Sequence, residues 1–587
     1  MFEYLAFVRD PSIPVAAREL VELLERLPAS AGWQLVFDSA SLRVMCRPPA
    51  LIKARVRITR STVILGPWFP ADNPNDPRTD SSLTPDEPSF PPGGWGDFVA
   101  LSATSSDRVH IYREPTALLP CLYAIHGHLG LLASNLASLR ALTGRSFPGS
   151  SGYLRDHLLG RLGPQLRQPL IGVTVIHGGE RVTLQLAQPD KPTHAMHWTP
   201  HDFVSPEARI EDARTAGREL HDTLSRCMYA WTTYARTSLM RLSGGLDSSI
   251  VFGCLASIAR DSVIPYTYFN PDGQGNERRW AQAAAALHGM RALAVAFTPQ
   301  TIALADIERL QPTVEPVSTL TYLQRAPLER ALAKDHHAQV VFTGQGGDSL
   351  WCRDSIEQIP LDARLQTGWR PRLLRTCAQV ARHTDRSFWQ VLAMSAPARQ
   401  QQQASRSAAL SLLIDPQLLQ TDPSDTPPHP WLQHAAMHPT MHRRLGALMA
   451  STEYYDASVP AADDSPEIIS PLLSRPFVEA CLRVPSYLHF HHGIERGLAR
   501  EAFAKELPAE IQRRCWKDRA PGFFDLVLAR QRSFVREFLL DGLLVKSHWL
   551  SRTAVENALA ENTSGSRVSS LEILNHLDTE SWLRRLL

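Results

Sequence analysis

Seven consecutive residues, Ser243-Gly244-Gly245-Leu246-Asp247-Ser248-Ser249, gather two adjacent glycines, three hydroxyls and a carboxylate. They lie between a short apolar run closed by Leu242 and a helix-like apolar run, Ile250 to Ile258. Glycines let the backbone turn tightly and come close to a ligand, while hydroxyls and the unpaired N–H groups of a new helix donate to an anion. Strand, glycine turn and helix in that order make a phosphate cradle. The loop has no lysine and no Gly-Lys-Ser/Thr ending, which separates it from the Walker pattern. Further on, Thr343-Gly344-Gln345-Gly346-Gly347-Asp348 again sets glycines and an aspartate after a short apolar run. An aspartate alone in a turn is commonly an Asx cap; it is the recurrence at two matching loops that points to chemistry.

Such loops need a sheet to hold them. Short apolar segments alternate with helix-like ones over Val263–Phe269, Glu277–Leu287, Leu293–Phe297 and Val340–Thr343, which predicts a mainly parallel α/β sheet with ligand sites at the strands' C-terminal ends. A helix is expected over Pro206–Trp231. The first part of the chain reads as β, with alternating runs at Leu35–Phe37, Leu42–Cys46, Val56–Ile58, Thr62–Leu65, Phe98–Ser102, Val109–Tyr112 and Leu118–Ile125. A proline-rich stretch from Pro67 to Pro92 interrupts it as a surface insertion. The expected division is 1–205 and 206–587, after Trp198-Thr199-Pro200.

Composition sets the surroundings. The 587 residues suffice for two or more cores. With 61 basic and 59 acidic side chains there is no electrostatic case for a nucleic-acid partner. Eight scattered cysteines without a CxxC pair suit a reducing, cytoplasmic setting. The opening residues lack a secretory pattern, and the uncharged stretch Pro115–Leu139 is broken by Pro120, His126, Gly127, His128 and Asn135, so no membrane span is expected.

Taken together, the segments from about Thr237 to Phe524 resemble the synthetase domain of the asparagine synthetase family, whose first loop is the pyrophosphate loop of ATP pyrophosphatases. Tyr266-Thr267-Tyr268-Phe269 resembles the next strand, Asn276-Glu277 the Asp-Glu pair that opens a helix, and Glu315-Pro316 the family's Glu-Pro. Asn276 departs from the usual acid and Ser349 from a usual glutamate. The resemblance implies ATP and Mg²⁺ as cofactors. It assigns Leu242, Ser243, Gly244, Gly245, Asp247, Ser248, Ser249, Tyr268, Gly344, Gly346 and Gly347 to the nucleotide, and Asp247 with Asp348 to the metal. Magnesium favours a few carboxylates plus substrate phosphates, which suits that pair. Glu467-Ile468-Ile469-Ser470-Pro471-Leu472-Leu473 resembles Glu-x-Arg-Val-Pro-Phe-Leu with Ile469 in place of the arginine. This makes Glu467 the candidate general base, with Tyr454 or Tyr455 as possible assistants. Arg496 to Ala502 resembles Lys-x-x-Leu-Arg-Glu-Ala with Arg496 for the first lysine. Arg513-Arg514-Cys515-Trp516-Lys517 resembles the family's Arg-x-Lys ending, and Lys517 is the expected stabiliser of the developing oxyanion.

The first part resembles the family's glutaminase half at Gly96-Asp97-Phe98-Val99-Ala100, Tyr112-Arg113-Glu114-Pro115 and Leu132-Ala133-Ser134-Asn135-Leu136. The implied fold is therefore a degenerate glutaminase-like (Ntn-type) α+β sandwich, followed by an α/β ATP-pyrophosphatase domain. Position 2 is phenylalanine, where such glutaminases carry a cysteine nucleophile. An amine already in the substrate would then attack the adenylated carboxylate. The Phe-x-Tyr-Leu-Ala start, the Gly-Gln-Gly-Gly-Asp loop and Arg496 resemble the lasso peptide cyclases. That subgroup implies a ribosomal precursor peptide as substrate, whose Asp or Glu side chain is joined to its N-terminal amine, and a leader-peptide protease as partner. A β-lactam synthetase and a non-catalytic nucleotide- or peptide-binding scaffold are the alternatives. His489, His491 and His492 cluster in a loop without nearby cysteines, which speaks against zinc. Segments around Arg399–Gln403 and Asp422–Pro430 read as insertions.

Overall fold

Alternating apolar residues in the first third of the chain build two six-stranded antiparallel sheets. One orders its strands Thr174–Val175, Leu122–His126, Leu129–Ala133, Glu3–Val8, Leu42–Arg47 and Gln34–Asp38. The other orders them Gln188–Met196, Glu180–Gln185, Arg108–Arg113, Val99–Ser102, Thr62–Leu65 and Val56–Ile58. Glu3–Val8 is inner to its sheet, with Leu5 opposite Ala133 and Met45. Tyr4, Ala6 and Val8 enter the core between the sheets, while Leu5 and Phe7 enter a second core on the other face. Burial on both faces is why this strand is an apolar run rather than an alternation.

The computed structural model describes residues 2–48, 53–70, 90–91, 93–103, 107–160, 168–271, 276–396, 411–420, 427, 429–432, 439–452, 465–514, 521–560 and 568–587. Tyr454, Tyr455, Lys517, the segment around Arg399–Gln403 and most of the proline-rich insertion lie outside them.

Beyond the sandwich, five strands form a wholly parallel sheet in the order Leu293–Ala296, Val263–Phe269, Ser238–Arg241, Val340–Phe342 and Glu467–Ile469. The expected α/β pattern is present, with adjusted bounds. The long helix runs Ala213–Tyr234 and begins at Asp212, whose carboxylate accepts from the Thr215 N–H at 2.8 Å. A short helix and a 3-10 turn take up the residues before it. The strand expected from Leu118 starts only at Leu122. Helix Leu246–Ala259 is buried almost all round, from Leu246 to Ala256, and shares a core with the central strands.

The division near residue 205 separates sheets but not cores. Helices Pro521–Arg530, Arg532–Leu540 and Ser570–Leu586 return to the sandwich and pack Val527, Phe538, Leu577 and Trp582 into the same apolar cluster as Leu5, Phe7 and Leu131. Arg140 Nη1 donates to the Arg585 carbonyl at 2.6 Å, and Trp582 Nε1 to the Thr313 carbonyl at 3.0 Å. Seven described cysteines are free and buried. Among the described residues no helix is long and apolar enough to cross a membrane.

Candidate nucleotide and metal site

The first loop leaves strand Ser238–Arg241 and enters helix Leu246–Ala259. Gly244 has φ +70°, and a Cβ there would stand 2.5 Å from Trp280 Cβ, so the turn admits no side chain. The second loop leaves strand Val340–Phe342. A Cβ on Gly344 would stand 2.5 Å from the Ser248 nitrogen, and one on Gly347 2.6 Å from Asp247 Cγ. These two glycines therefore serve contact between the loops, and that contact is what brings the aspartates together.

Both carboxylates converge on one nitrogen. Arg496 Nη1 donates to Asp247 Oδ1 at 3.0 Å, to Asp247 Oδ2 at 3.1 Å and to Asp348 Oδ1 at 2.7 Å. Arg353 Nη1 donates to the other oxygen of Asp348 at 2.7 Å, and Glu495 Oε1 lies 3.0 Å from Arg496 Nε and 3.4 Å from Arg353 Nε. Arg496 has a left-handed backbone, φ 55°, at the start of helix Gly497–Ala502. That conformation is uncommon for a residue with a Cβ and tends to mark functional positions.

Around this knot lies a cavity of about 250 Å³. Its walls carry six arginines, Arg241, Arg325, Arg353, Arg496, Arg500 and Arg514, against Asp247, Asp348 and Glu495. An excess of guanidinium groups in a polar cleft suits a polyphosphate, since arginine pairs bidentately with phosphate. Several of these arginines are held in place. Arg241 donates to Glu329 Oε1 at 2.6 and 2.9 Å. Arg514 makes a buried two-pronged pair with Glu277 at 2.8 and 2.5 Å and stacks 4.4 Å over Trp280. Arg500 donates to the carbonyls of Ile511, Gln512 and Arg514, fixing the chain that leads toward Lys517.

The expected nucleotide residues divide in two. Ser243, Gly245, Asp247, Ser248 and Gly344 line the cleft. Ser243 and Ser248 hydroxyls meet at 3.0 Å, and the Gly245 N–H donates to Ser243 Oγ at 3.4 Å. Leu242 is fully buried in the core. The Ser249 hydroxyl is spent on the Gly245 carbonyl at 2.7 Å, and Gly346 packs over Leu473. The Tyr268 hydroxyl donates to Glu329 at 2.9 Å beside that of Tyr266 at 2.6 Å, and burial raises both phenol pKa values. Leu242, Ser249, Gly346 and Tyr268 thus support the site from behind.

Glu467 is placed elsewhere. It begins strand Glu467–Ile469, opposite Val340, at the far end from the loops. Among the described residues it is not part of the cleft lining. It is ion-paired with Arg55 of the sandwich, lies 3.4 Å from the Tyr234 hydroxyl, and lines a second cavity of about 50 Å³ with Phe2, Gly66, Asp97 and Leu119. Arg55 stacks 3.6 Å over the Tyr234 ring. Enclosure in the protein raises Asp97 to about 6, against the Leu119 N–H that donates to it at 2.7 Å. The strand's other end does reach the site: the Thr343 N–H donates to the Ile469 carbonyl at 2.9 Å, and the Thr343 and Ser470 hydroxyls meet at 2.9 Å.

The histidines also separate. His489 is buried, with Nε2 3.1 Å from Arg444, and its pKa falls through burial. His491 and His492 instead approach Glu501, at 3.4 and 3.9 Å. A larger cavity, about 530 Å³, lies between Leu158–Gly160 and the last helix, away from both loops.

The sequence pattern did not show Arg353, Glu495 or Arg241 as part of the site. Arg241 alone left a trace there, as a charge at the end of an otherwise apolar strand.

The asparagine synthase family model matches residues 219–584, more than half of the chain. The chain belongs to the asparagine synthase family. That membership carries ATP-dependent amide-ligase chemistry with ATP and magnesium. The residues present fit a magnesium ion, because two oxygen-donor carboxylates from two loops already close on a single cation. No curated protein sequence matches this one. Two of the solved structures that match are similar over part of the chain. The allosteric regulatory enzyme of purine biosynthesis shares 9% identity over 52% of this chain and 82% of its own, with TM-score 0.17. Glutamine phosphoribosylpyrophosphate amidotransferase from B. subtilis, complexed with ADP and GMP, shares 10% over 58% and 81%, with TM-score 0.18. At those scores neither bears on the fold.

Proposed function

We propose that this asparagine synthase family member activates a carboxylate as its adenylate and closes an amide with an amine of the same substrate, as a lasso peptide cyclase does. The observation that carries the intramolecular reading is the state of the sandwich. Phe2 is 5% exposed and packs in the inter-sheet core, and Pro67, Leu118 and Pro120 close the small cavity beside it. The two cysteines of that half, Cys46 and Cys121, are buried with thiol pKa values raised by desolvation, Cys121 to about 12. A thiol kept protonated in a core is a poor nucleophile. Without glutamine hydrolysis, the attacking amine has to come with the substrate.

In this reading the cleft arginines bind the triphosphate while the substrate carboxylate attacks the α-phosphorus and pyrophosphate leaves. Bound magnesium would neutralise the departing phosphates from Asp247 and Asp348. The amine then attacks the acyl carbon, AMP leaves, and one proton is lost to solvent or a base. An α-amine has an ordinary pKa of about 7.7–8.0, so a useful neutral fraction exists near pH 7. Lys517, three residues after Arg514, which is anchored on the cleft wall, is the proposed cation for the tetrahedral oxyanion. Glu467 would serve as the base only by leaving its ion pair with Arg55 at the sandwich, since a general base must lie within hydrogen-bond reach of the amine. The Phe-x-Tyr-Leu-Ala start supports the lasso subgroup only as a packing signature, because Phe2, Tyr4, Leu5 and Ala6 are all core residues.

The test is incubation of a leaderless candidate core peptide with the protein, ATP and Mg²⁺, with peptide mass, AMP and pyrophosphate followed together. A product one water lighter, formed with equimolar AMP and absent with Asp348→Ala, is the expected result. Nucleotide cleavage driven by a small β-amino acid and not by peptide would replace the cyclase by a β-lactam synthetase. Neither reaction would leave a binding scaffold.

A further inference from the structure

We infer that Arg496 is a tethered counter-ion that occupies the metal position of the nucleotide-free enzyme, so that the divalent metal enters only together with ATP. The inference rests on Asp247 and Asp348 being the metal carboxylates. It goes beyond that reading by assigning the order of binding to one side chain.

Three observations carry it. First, a single nitrogen, Nη1, takes three carboxylate contacts at 2.7–3.1 Å from residues on separate loops. A guanidinium usually spreads its donors in a fork across one partner. Concentrating two carboxylates on one donor is the geometry of a point cation. Second, the side chain is committed to this place: it is 10% exposed, its backbone is left-handed, and Glu495 faces its Nε at 3.0 Å. Third, Asp348 is 42% exposed while Asp247 is 17% exposed, so the pair opens to the cleft on the Asp348 side. Arg353 guards that side with its own bond to Asp348.

The physical consequence follows from charge balance. Two carboxylates brought this close repel each other unless a cation sits between them. In the absence of nucleotide Arg496 supplies it, and a hydrated divalent ion arriving alone must displace a positive group that cannot leave its tether. Magnesium dehydrates reluctantly and binds through one or two carboxylates plus phosphates, so without phosphates the exchange is unfavourable. With a polyphosphate in the cleft, the guanidinium gains oxygens to pair with as it gives up the aspartates, and the metal takes its place between the loops. Arg496 acts through the carboxylates and is a positioning residue.

Manganese binding, read by electron paramagnetic resonance of free Mn²⁺ in the full-length protein, tests this without turnover. Wild type is expected to take up little Mn²⁺ alone and to bind it in the presence of a non-hydrolysable ATP analogue. Arg496→Gln is expected to bind Mn²⁺ without nucleotide, on the order of tenfold or more tighter than wild type, because a unit charge a few ångströms away is removed. That gain should vanish in the Arg496→Gln/Asp348→Ala double variant. A residue with a merely structural role would weaken metal binding when replaced, not strengthen it. Should Arg496→Gln misfold by circular dichroism, Arg496→Lys, with a shorter single-point cation, is expected to fall between the two. Equal Mn²⁺ affinity in wild type with and without the analogue, lost in Asp348→Ala, would overturn the inference and leave the metal assignment standing. No Mn²⁺ uptake with the analogue, or uptake indifferent to Asp348→Ala, would overturn the metal assignment and the inference with it.

Discussion

Two cavities in this molecule each set acidic side chains beside an arginine, and they differ in what encloses them. In the nucleotide cleft, Asp247 and Asp348 share Arg496 at the floor of a polar space of about 250 Å³ walled by further arginines. In the sandwich, Asp97 and Glu467 flank Arg55 in about 50 Å³ closed by Phe2, Pro67, Leu118, Leu119 and Pro120. The first keeps volume and an excess of positive charge for an anionic ligand. The second has spent its charges on one another and its volume on apolar side chains. Acidic residues near a cavity are therefore poor evidence of chemistry by themselves; room and an unbalanced field distinguish a working site from a closed one.

The largest test of this contrast is to remove one acid from each cavity. Asp348→Ala should lower ATP-dependent pyrophosphate release by about a hundredfold or more, the scale of losing a group that stabilises charge in the transition state. Asp97→Asn should leave it within about twofold. Equal losses would mean that the sandwich cavity takes part in turnover.

Next in size is Glu467→Gln. If the glutamate's work is to neutralise Arg55, which is only 6% exposed, the substitution should cost about 3 kcal/mol in urea unfolding, the scale of an uncompensated buried charge. Turnover per folded molecule should fall less than about tenfold. A general base would give the opposite pattern, unchanged unfolding with a loss of about a hundredfold or more.

A smaller effect is expected for Gly347→Ala. Its Cβ would stand 2.6 Å from Asp247 Cγ, so the loops must part, costing about 1–3 kcal/mol and weakening metal binding with it. Gly93→Ala, with nothing within 4 Å of the added carbon, is the matched control.

The smallest is a pH effect confined to the sandwich. Asp97 is raised from 3.8 to about 6 by desolvation first and by Glu467 among the lesser causes. A carboxyl raised on folding contributes stability that is full below the unfolded value and lost as pH rises through the folded one. Stability should therefore fall by about 1–3 kcal/mol between pH 4 and pH 7 on this account, and Asp97→Asn should flatten that part of the profile. An unchanged slope in the variant would remove Asp97 as its source.

Much of the fold could be read in advance because its signals are local. The runs Leu42–Cys46, Thr62–Leu65 and Val263–Phe269 became strands at or within a residue of the expected bounds, since period-two alternation or a short apolar run between turn residues leaves few other choices. The exposed strand Gln188–Met196 gave no such signal: it is rich in polar residues and holds its place by pairing with Glu180–Gln185 at the sheet edge. In the site, Asp247, Asp348, Ser243 and Ser248 could be read from loop chemistry. Glu467 could not be placed, because the sequence did not mark Glu467–Ile469 as a strand of the sheet, and this glutamate stands at that strand's start, away from the loops.

The amino-acid sequence by itself determined the two glycine loops, the strands that carry them and the aspartate in each, since tight turns and helix starts are set by neighbours a few residues apart. Only the tertiary structure decided that Gly344 and Gly347 serve contact between the loops, that Arg496 reaches both aspartates, that Glu467 answers to Arg55, and that the last helices share a core with the first strand. Those pairings join residues up to several hundred positions apart, and what selects them is the burial of apolar surface and the balancing of charge in a shared interior, which no local pattern encodes.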